Sequence, residues 1–189
     1  MTKRAEMLAK LPGLKTQDYI KDEMCRVDHA GEYGAVQIYR GQMAALKNAS
    51  SQKESYAEIK HMAEQEAVHL NHFNQLLPKR NIRPSAMSPL WRIGGFMMGA
   101  VTALTSKENA MACTESVETV IGEHYNEQIT YFEEKGDDET PTLKKFRDEE
   151  LEHLEYAVQD GAKDAKAYST SDSLITTLCK SVIRIAEKI

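Results

Sequence analysis

Two stretches of this chain repeat one pattern, Glu66-Ala67-Val68-His69 and Glu150-Leu151-Glu152-His153. In each, a Glu and a His stand three apart in a run with helical periodicity. Each is preceded, about a helix earlier, by a lone Glu on an apolar stripe: Glu32 for the first and Glu118 for the second. Glu followed by Glu-x-x-His, written twice, is the ligand pattern of a carboxylate-bridged two-metal site inside a four-helix bundle. It predicts an all-α fold in which long helices bring these side chains inward to one point.

Phase separates the candidates from their neighbours. A third Glu-x-x-His, Glu58-Ile59-Lys60-His61, lines up with Glu54, Gln65 and His72 on a polar face and reads as a solvated surface pair. Glu123 shares a face with Glu127, Thr130 and Glu134 and reads as exposed. Glu32, Glu66, His69, Glu118, Glu150 and His153 instead stand where the stripe calls for an apolar residue. A carboxylate taken out of water is costly even after relaxation, so four of them converging require a shared cation. Two divalent ions offset four Glu charges, and imidazole suits iron better than magnesium or calcium.

The periodicity predicts helix A over about 16–47 (Cys25, His29, Glu32, Val36, Tyr39, Met43, Leu46) and helix B to about residue 77. Helix C is expected over about 107–135, boxed by Thr105 and Glu108. Helix D opens with Thr140 as N-cap and Pro141 as first helical residue. A last amphipathic helix is expected over 173–189, a loose arm over 1–15, and a polar turn over 48–52. If A and B form a hairpin, Glu32 and the 66/69 pair are level about residue 50, in that turn. Glu118 and the 150/153 pair centre near 135, short of the loop centre at 138, and His124 fits that arithmetic better. Glu118 shares the full stripe and is taken as the ligand, with His124 and Tyr125 beside the metals.

Between helices B and C the chain runs from Ile93 to Ser106 without a charge, after Leu90-Trp91-Arg92. That is shorter than the ~20 apolar residues a bilayer span needs. A Trp and basic residues at its edge suit a segment lying in a membrane interface, over residues 86–107. The alternatives are a buried core helix or the long crossover of a bundle.

At 189 residues the chain is read as a single domain over 1–189. The net charge of −5 argues against a nucleic-acid partner. Cys25, Cys113 and Cys179 are far apart with no Cys-x-x-Cys, which excludes a four-cysteine iron or zinc site and suggests a reducing compartment. No secretory signal and no Gly-x-Gly-x-x-Gly nucleotide fingerprint is found.

With these residues in hand, the chain resembles the demethoxyubiquinone hydroxylase family, ferritin-like di-iron quinone monooxygenases. The resemblance runs from about residue 26 to 189. It rests on Arg26-Val27-Asp28-His29-Ala30-Gly31-Glu32, Ala112-Cys113-Thr114 with Val117-Glu118, and His124-Tyr125-Asn126. Arg147-Asp148-Glu149-Glu150-Leu151-Glu152-His153 and Ile185-Ala186-Glu187-Lys188-Ile189 add to it, while residues 1–20 lie outside the shared pattern. The resemblance implies two Fe ions held by Glu32, Glu66, His69, Glu118, Glu150 and His153, with Glu66 or Glu150, or both, as bridges. It implies His124 and Tyr125 as a pair serving electron or proton transfer. The implied reaction is O2-dependent hydroxylation of a polyprenyl-methoxy-methylbenzoquinol, with NADH as electron source. Residues 90–105 would be substrate door and membrane anchor. Peripheral association with the cytoplasmic face of a bacterial membrane is expected, the matrix face of the mitochondrial inner membrane being the alternative. Other ubiquinone-biosynthesis proteins are implied partners, and a homo-oligomer is left open. A ferritin- or rubrerythrin-like iron-oxidising or storage protein shares the ligand pattern, but has no use for the apolar insert. A metal-free scaffold of buried ion pairs is disfavoured by its desolvation cost.

Overall fold

The computed structural model describes residues 16–47 and 52–188. The expected arm over 1–15, most of the polar turn (48–51) and Ile189 lie outside the described residues. The helices are α1 (Gln17–Leu46), α2 (Lys53–Lys79), α3 (Ser88–Thr105), α4 (Lys107–Glu133), α5 (Thr140–Gln159) and α6 (Tyr168–Ala186), with a 3-10 turn at Ala162–Asp164. There is no strand among the described residues.

Local chemistry sets most boundaries. Thr16 caps α1, its Oγ1 accepting from the Tyr19 N–H at 3.2 Å. The cap of α4 is Ser106, not the expected Thr105–Glu108 box. Ser106 is extended (φ −170°, ψ 166°) and its Oγ accepts from the Asn109 N–H. Thr105 is still the last residue of α3, and its hydroxyl donates back to the Val101 carbonyl. α5 begins one residue earlier than expected, with Glu139 before it and Thr140 already helical. α6 begins at Tyr168 rather than at 173. Its first turn has no apolar stripe to reveal it and is tied down by polar contacts: Tyr168 donates to Glu115 at 3.0 Å, and Ser116 to Asp172 at 2.8 Å.

Four helices form the bundle, and their contacts give the directions. Asp22–Arg80, His29–Asn74 and Tyr39–Met62 climb α1 while descending α2. Asn126–Arg147 and Glu133–Lys144 do the same for α4 and α5. Tyr39–Glu118 and Glu32–Tyr125 set α1 antiparallel to α4, and Gln65–His153 and His69–Glu149 set α2 antiparallel to α5. Thus α2 and α4 run the same way, and the chain must travel back along the bundle between them. α3 is that crossover: its 18 residues cover about 27 Å at 1.5 Å each.

α3 lies against α1 backbone to backbone. A Cβ on Gly99 would overlap the Ile38 carbonyl, and one on Gly41 would meet the Phe96 carbonyl and stand 2.7 Å from the Ala100 nitrogen. The opposite face of α3 carries Leu90, Ile93, Met97, Val101 and Leu104, all at least half exposed. α6 packs on α4 and α1 and leaves Leu174 and Leu178 exposed. No helix among the described residues is long and apolar enough to cross a membrane. Two of the apolar clusters join helices of the bundle on either side of its middle. One gathers Tyr39, Leu46, Ile59, Met62 and Met111; the other gathers Phe73, Tyr125, Ile129, Phe132, Leu143 and Phe146. The charged residues singled out in the sequence lie between them.

Candidate metal centre

The bundle turns six polar side chains into its dry middle: Glu32 from α1, Glu66 and His69 from α2, Glu118 from α4, Glu150 and His153 from α5. His153 is the most accessible of them, at 2%. They form two overlapping sets, Glu32–Glu66–His69–Glu150 and Glu66–Glu118–Glu150–His153. Within each set one ligand atom from every member lies within 4.8 Å of the others. Glu66 and Glu150 belong to both. Glu150 presents Oε1 to His69 Nδ1 at 3.1 Å and Oε2 to His153 Nδ1 at 3.3 Å. Glu66 presents Oε1 to His153 Nδ1 at 3.3 Å and Oε2 to His69 Nδ1 at 3.9 Å.

The donor set fits a pair of cations atom by atom. Buried atoms without a hydrogen-bond partner include Nδ1 of both His69 and His153, both oxygens of Glu66 and Glu150, and one oxygen (Oε2) of Glu32 and of Glu118. An unpaired buried polar atom is costly, and here the unpaired atoms all face one another. The second oxygen of each terminal carboxylate is already engaged: the Tyr125 hydroxyl donates to Glu32 Oε1 and the Tyr39 hydroxyl to Glu118 Oε1. One oxygen each of Glu32 and Glu118, and both oxygens of Glu66 and Glu150, are left without a hydrogen-bond partner.

The imidazoles are oriented from behind. Nε2 of His69 lies 2.8 Å from Glu149 Oε2, and Nε2 of His153 lies 3.0 Å from Gln65 Oε1. Both partners are acceptors, so each ring keeps a proton on Nε2 and turns Nδ1 toward the carboxylates. Phe146 covers His69 with ring centroids 4.1 Å apart.

Electrostatics describe a centre that holds protons where a cation would sit. Burial first, then the Glu150, Glu32 and Glu118 charges, raise Glu66 well above the usual carboxylate range. Burial and Glu150 raise Glu118 likewise. Burial opposes the charging of His69, but Glu150 and Glu32 outweigh it and push the imidazole up to about 11. Burial also opposes the ionisation of Glu150, yet His153 and His69 together hold it below its ordinary value. Burial, then the nearby carboxylates, keep Tyr39 and Tyr125 far above an ordinary phenol, so both remain donors.

All six sequence-derived candidates thus meet, and Glu118, not His124, completes the second set. Tyr125 touches the cluster through Glu32. His124 stands behind it, its Nε2 3.4 Å from Asp28 Oδ1 and 2.8 Å from Gln128 Nε2. Glu58 and His61 stay outside, His61 exposed. Sequence reasoning missed Tyr39, Gln65 and Glu149 as partners. The signal was present: Tyr39 and Tyr125 each follow their own helix's Glu by seven residues, and Gln65 and Glu149 each precede a Glu-x-x-His.

Beside the centre, between α1, α3, α4 and α6, lies an apolar cavity of about 410 Å3. Gly31, Ala35 and Ile38 line it from α1, and Val117 and Ile121 from α4, residues that flank Glu32 and Glu118 in the chain. Trp91, Met98 and Thr102 close it from α3, and Leu174, Leu178 and Cys179 from α6.

The family described as ubiquinone biosynthesis protein COQ7 matches residues 19–186. A relative from Homo sapiens, named NADPH-dependent 3-demethoxyubiquinone 3-hydroxylase, mitochondrial, is 45% identical over 172 residues, covering 89% of this chain and 77% of its own. One of the same name from Dictyostelium discoideum is 40% identical over 186 residues, covering 97% and 84%. The 3-demethoxyubiquinol 3-hydroxylase of Rhodospirillum rubrum is 40% identical over 183 residues, covering 95% and 84%.

Proposed function

The chain belongs to the family of the ubiquinone biosynthesis protein COQ7, and on that footing we propose that it hydroxylates the ring of a polyprenyl demethoxyubiquinol with O2. One ring C–H becomes C–OH with one atom of O2. The other atom leaves as water, and a reduced nicotinamide supplies the two electrons. The relatives from Homo sapiens and Dictyostelium discoideum are called NADPH-dependent, and NADH, the donor expected from the sequence, carries the same hydride. The observation that carries this reading is the set of unpaired buried ligand atoms beside an apolar cavity of ring-accepting size.

Two iron ions are the assigned metals, and when bound they supply the binding and reduction of O2. Glu32 and His69 would hold one ion and Glu118 and His153 the other, with Glu66 and Glu150 common to both sets. Tyr125 and Tyr39 fix the terminal carboxylates by donating to one oxygen of each. Tyr125, with His124 behind it, is assigned the proton traffic to this end of the centre. The cavity walls are almost wholly apolar and so favour the ring over water.

The outer stripe of α3, within the segment 86–107, rests in the membrane interface in this reading, with Arg83 and Arg92 exposed at its start. A polyprenyl tail then stays in lipid, since extracting it costs ~0.8 kcal/mol per CH2. Association is peripheral, on the side where a reduced nicotinamide is available: the cytoplasmic face of a bacterial membrane, or the matrix face in mitochondria. Other ubiquinone-biosynthesis proteins are partners on the same reading.

The test is to load the chain with ferrous iron without oxygen, add a short-tailed demethoxyquinone and NADH or NADPH, and admit labelled O2. Mass spectrometry of the quinone is expected to find one labelled oxygen on the ring. Iron oxidised in large excess over the chain, with the quinone returned unchanged, would replace this reading with iron storage.

A further inference from the structure

The two halves of the centre match residue for residue: Glu32 with Glu118, Tyr39 with Tyr125, Glu66 with Glu150, His69 with His153. The position before each Glu-x-x-His breaks the match. It is Gln65 in α2 and Glu149 in α5, and each reaches across to the other half's imidazole. His153 Nε2 therefore meets a neutral amide oxygen at 3.0 Å, and His69 Nε2 a carboxylate oxygen at 2.8 Å. Lys145 Nζ lies 3.5 Å from the other Glu149 oxygen and steadies that carboxylate. A carboxylate draws on the imidazole N–H more strongly than an amide does, and so makes the opposite nitrogen the better donor to a metal.

We propose that the two metal positions are inequivalent, the one at His69 taking its divalent ion first and more tightly than the one at His153. Glu149 and Gln65 act here as positioning residues, through the imidazoles. When metal is scarce the chain holds a single ion, at His69. This inference rests on the two-metal reading above.

The experiment titrates the metal-free full chain anaerobically with Co2+, followed by calorimetry and by the visible absorption of the bound ion. Two steps are expected, separated by about 10–100-fold in affinity, the range seen when a ligand's outer hydrogen-bond partner is lost. Glu149→Gln should weaken the first step until it merges with the second, and shift the absorption of the one-equivalent species. Gln65→Glu, which gives His153 a carboxylate partner as well, should strengthen the second step until it merges with the first, so that one equivalent spreads over both positions and its spectrum becomes a mixture of the two. The combined exchange should restore two steps with the spectra in reversed order. A structural role alone would lower stability without moving or reordering these spectra.

Two ions bound in one unresolved step in the natural chain, or a first step untouched by Glu149→Gln, would overturn the inference and leave the two-metal reading standing. Failure of the natural chain to bind two equivalents would remove both.

Discussion

Glu66 and Glu150 are side chains that a stable apolar core would reject. Their burial beside Glu32 and Glu118 is tolerated because protons or cations share the centre. Replacing Glu66 by Gln removes one carboxylate from this crowd. The metal-free variant is expected to melt higher than the natural chain at pH 8, by about 2–4 °C for each kcal/mol of repulsion relieved. It should also lose two-ion binding in the same titration. Tyr39→Phe and Tyr125→Phe keep the rings in their apolar clusters but leave one oxygen of Glu118 or Glu32 without its donor. Each should weaken metal binding by about 10–100-fold with little change in helix content by circular dichroism. The six candidate ligands were legible because each interrupts an apolar stripe with a carboxylate or an imidazole. Tyr39, Gln65 and Glu149 were not: a tyrosine counts as apolar in a stripe, and Gln65 and Glu149 look outward until the helix across the bundle is in place.

Among the elements, α3 carries most of what the sequence left open. Its charge-free run was visible, but its role as crossover depends on α2 and α4 running the same way, a relation between distant parts of the chain. The close approach at Gly41 and Gly99 was invisible for the same reason. Gly99→Val places a branched side chain against the Ile38 carbonyl, which cannot withdraw without parting the helices. A loss of about 1–3 kcal/mol or more in denaturant unfolding is expected, with hydrogen-exchange protection lost in α3 ahead of α2 and α5. The opposite face behaves differently. Ile93, Met97 and Leu104 are 65%, 54% and 73% exposed. Changing all three to Glu should leave the fold intact, each within about 0.5 kcal/mol, while abolishing flotation with lipid vesicles. A triple variant that still floats would detach α3 from the membrane role. The helix ends show a smaller version of this limit. Thr105 and Ser106 are both good caps by type, and only the extended backbone of Ser106 decides between them.

For the molecule as a whole, the centre ties stability to pH. Glu66, Glu118 and His69 all bind protons more tightly in the folded metal-free chain than the free side chains do, whose ordinary values are 4.5, 4.5 and 6.5. The folded state then holds more protons than the unfolded one, so metal-free stability falls as pH rises from about 6.5 toward the His69 value of about 11. Bound divalent ions replace those protons, so metal affinity should rise over the same window and release protons on binding. Melting curves with and without metal, and proton release measured in weakly buffered solution, check both signs. The fold class was readable from helix periodicity and the doubled ligand pattern. The crossed hydrogen bonds were not, because they join the two halves of the chain. Those crossed bonds also impose an order in time. Tyr39 of the first hairpin secures a carboxylate of the second, Tyr125 of the second secures one of the first, and each imidazole is steadied from the other side. Neither hairpin alone brings all six side chains and their partners together, so on the two-metal reading capture would follow the docking of the hairpins. Ions taken up there would act as a latch on a bundle that is already closed.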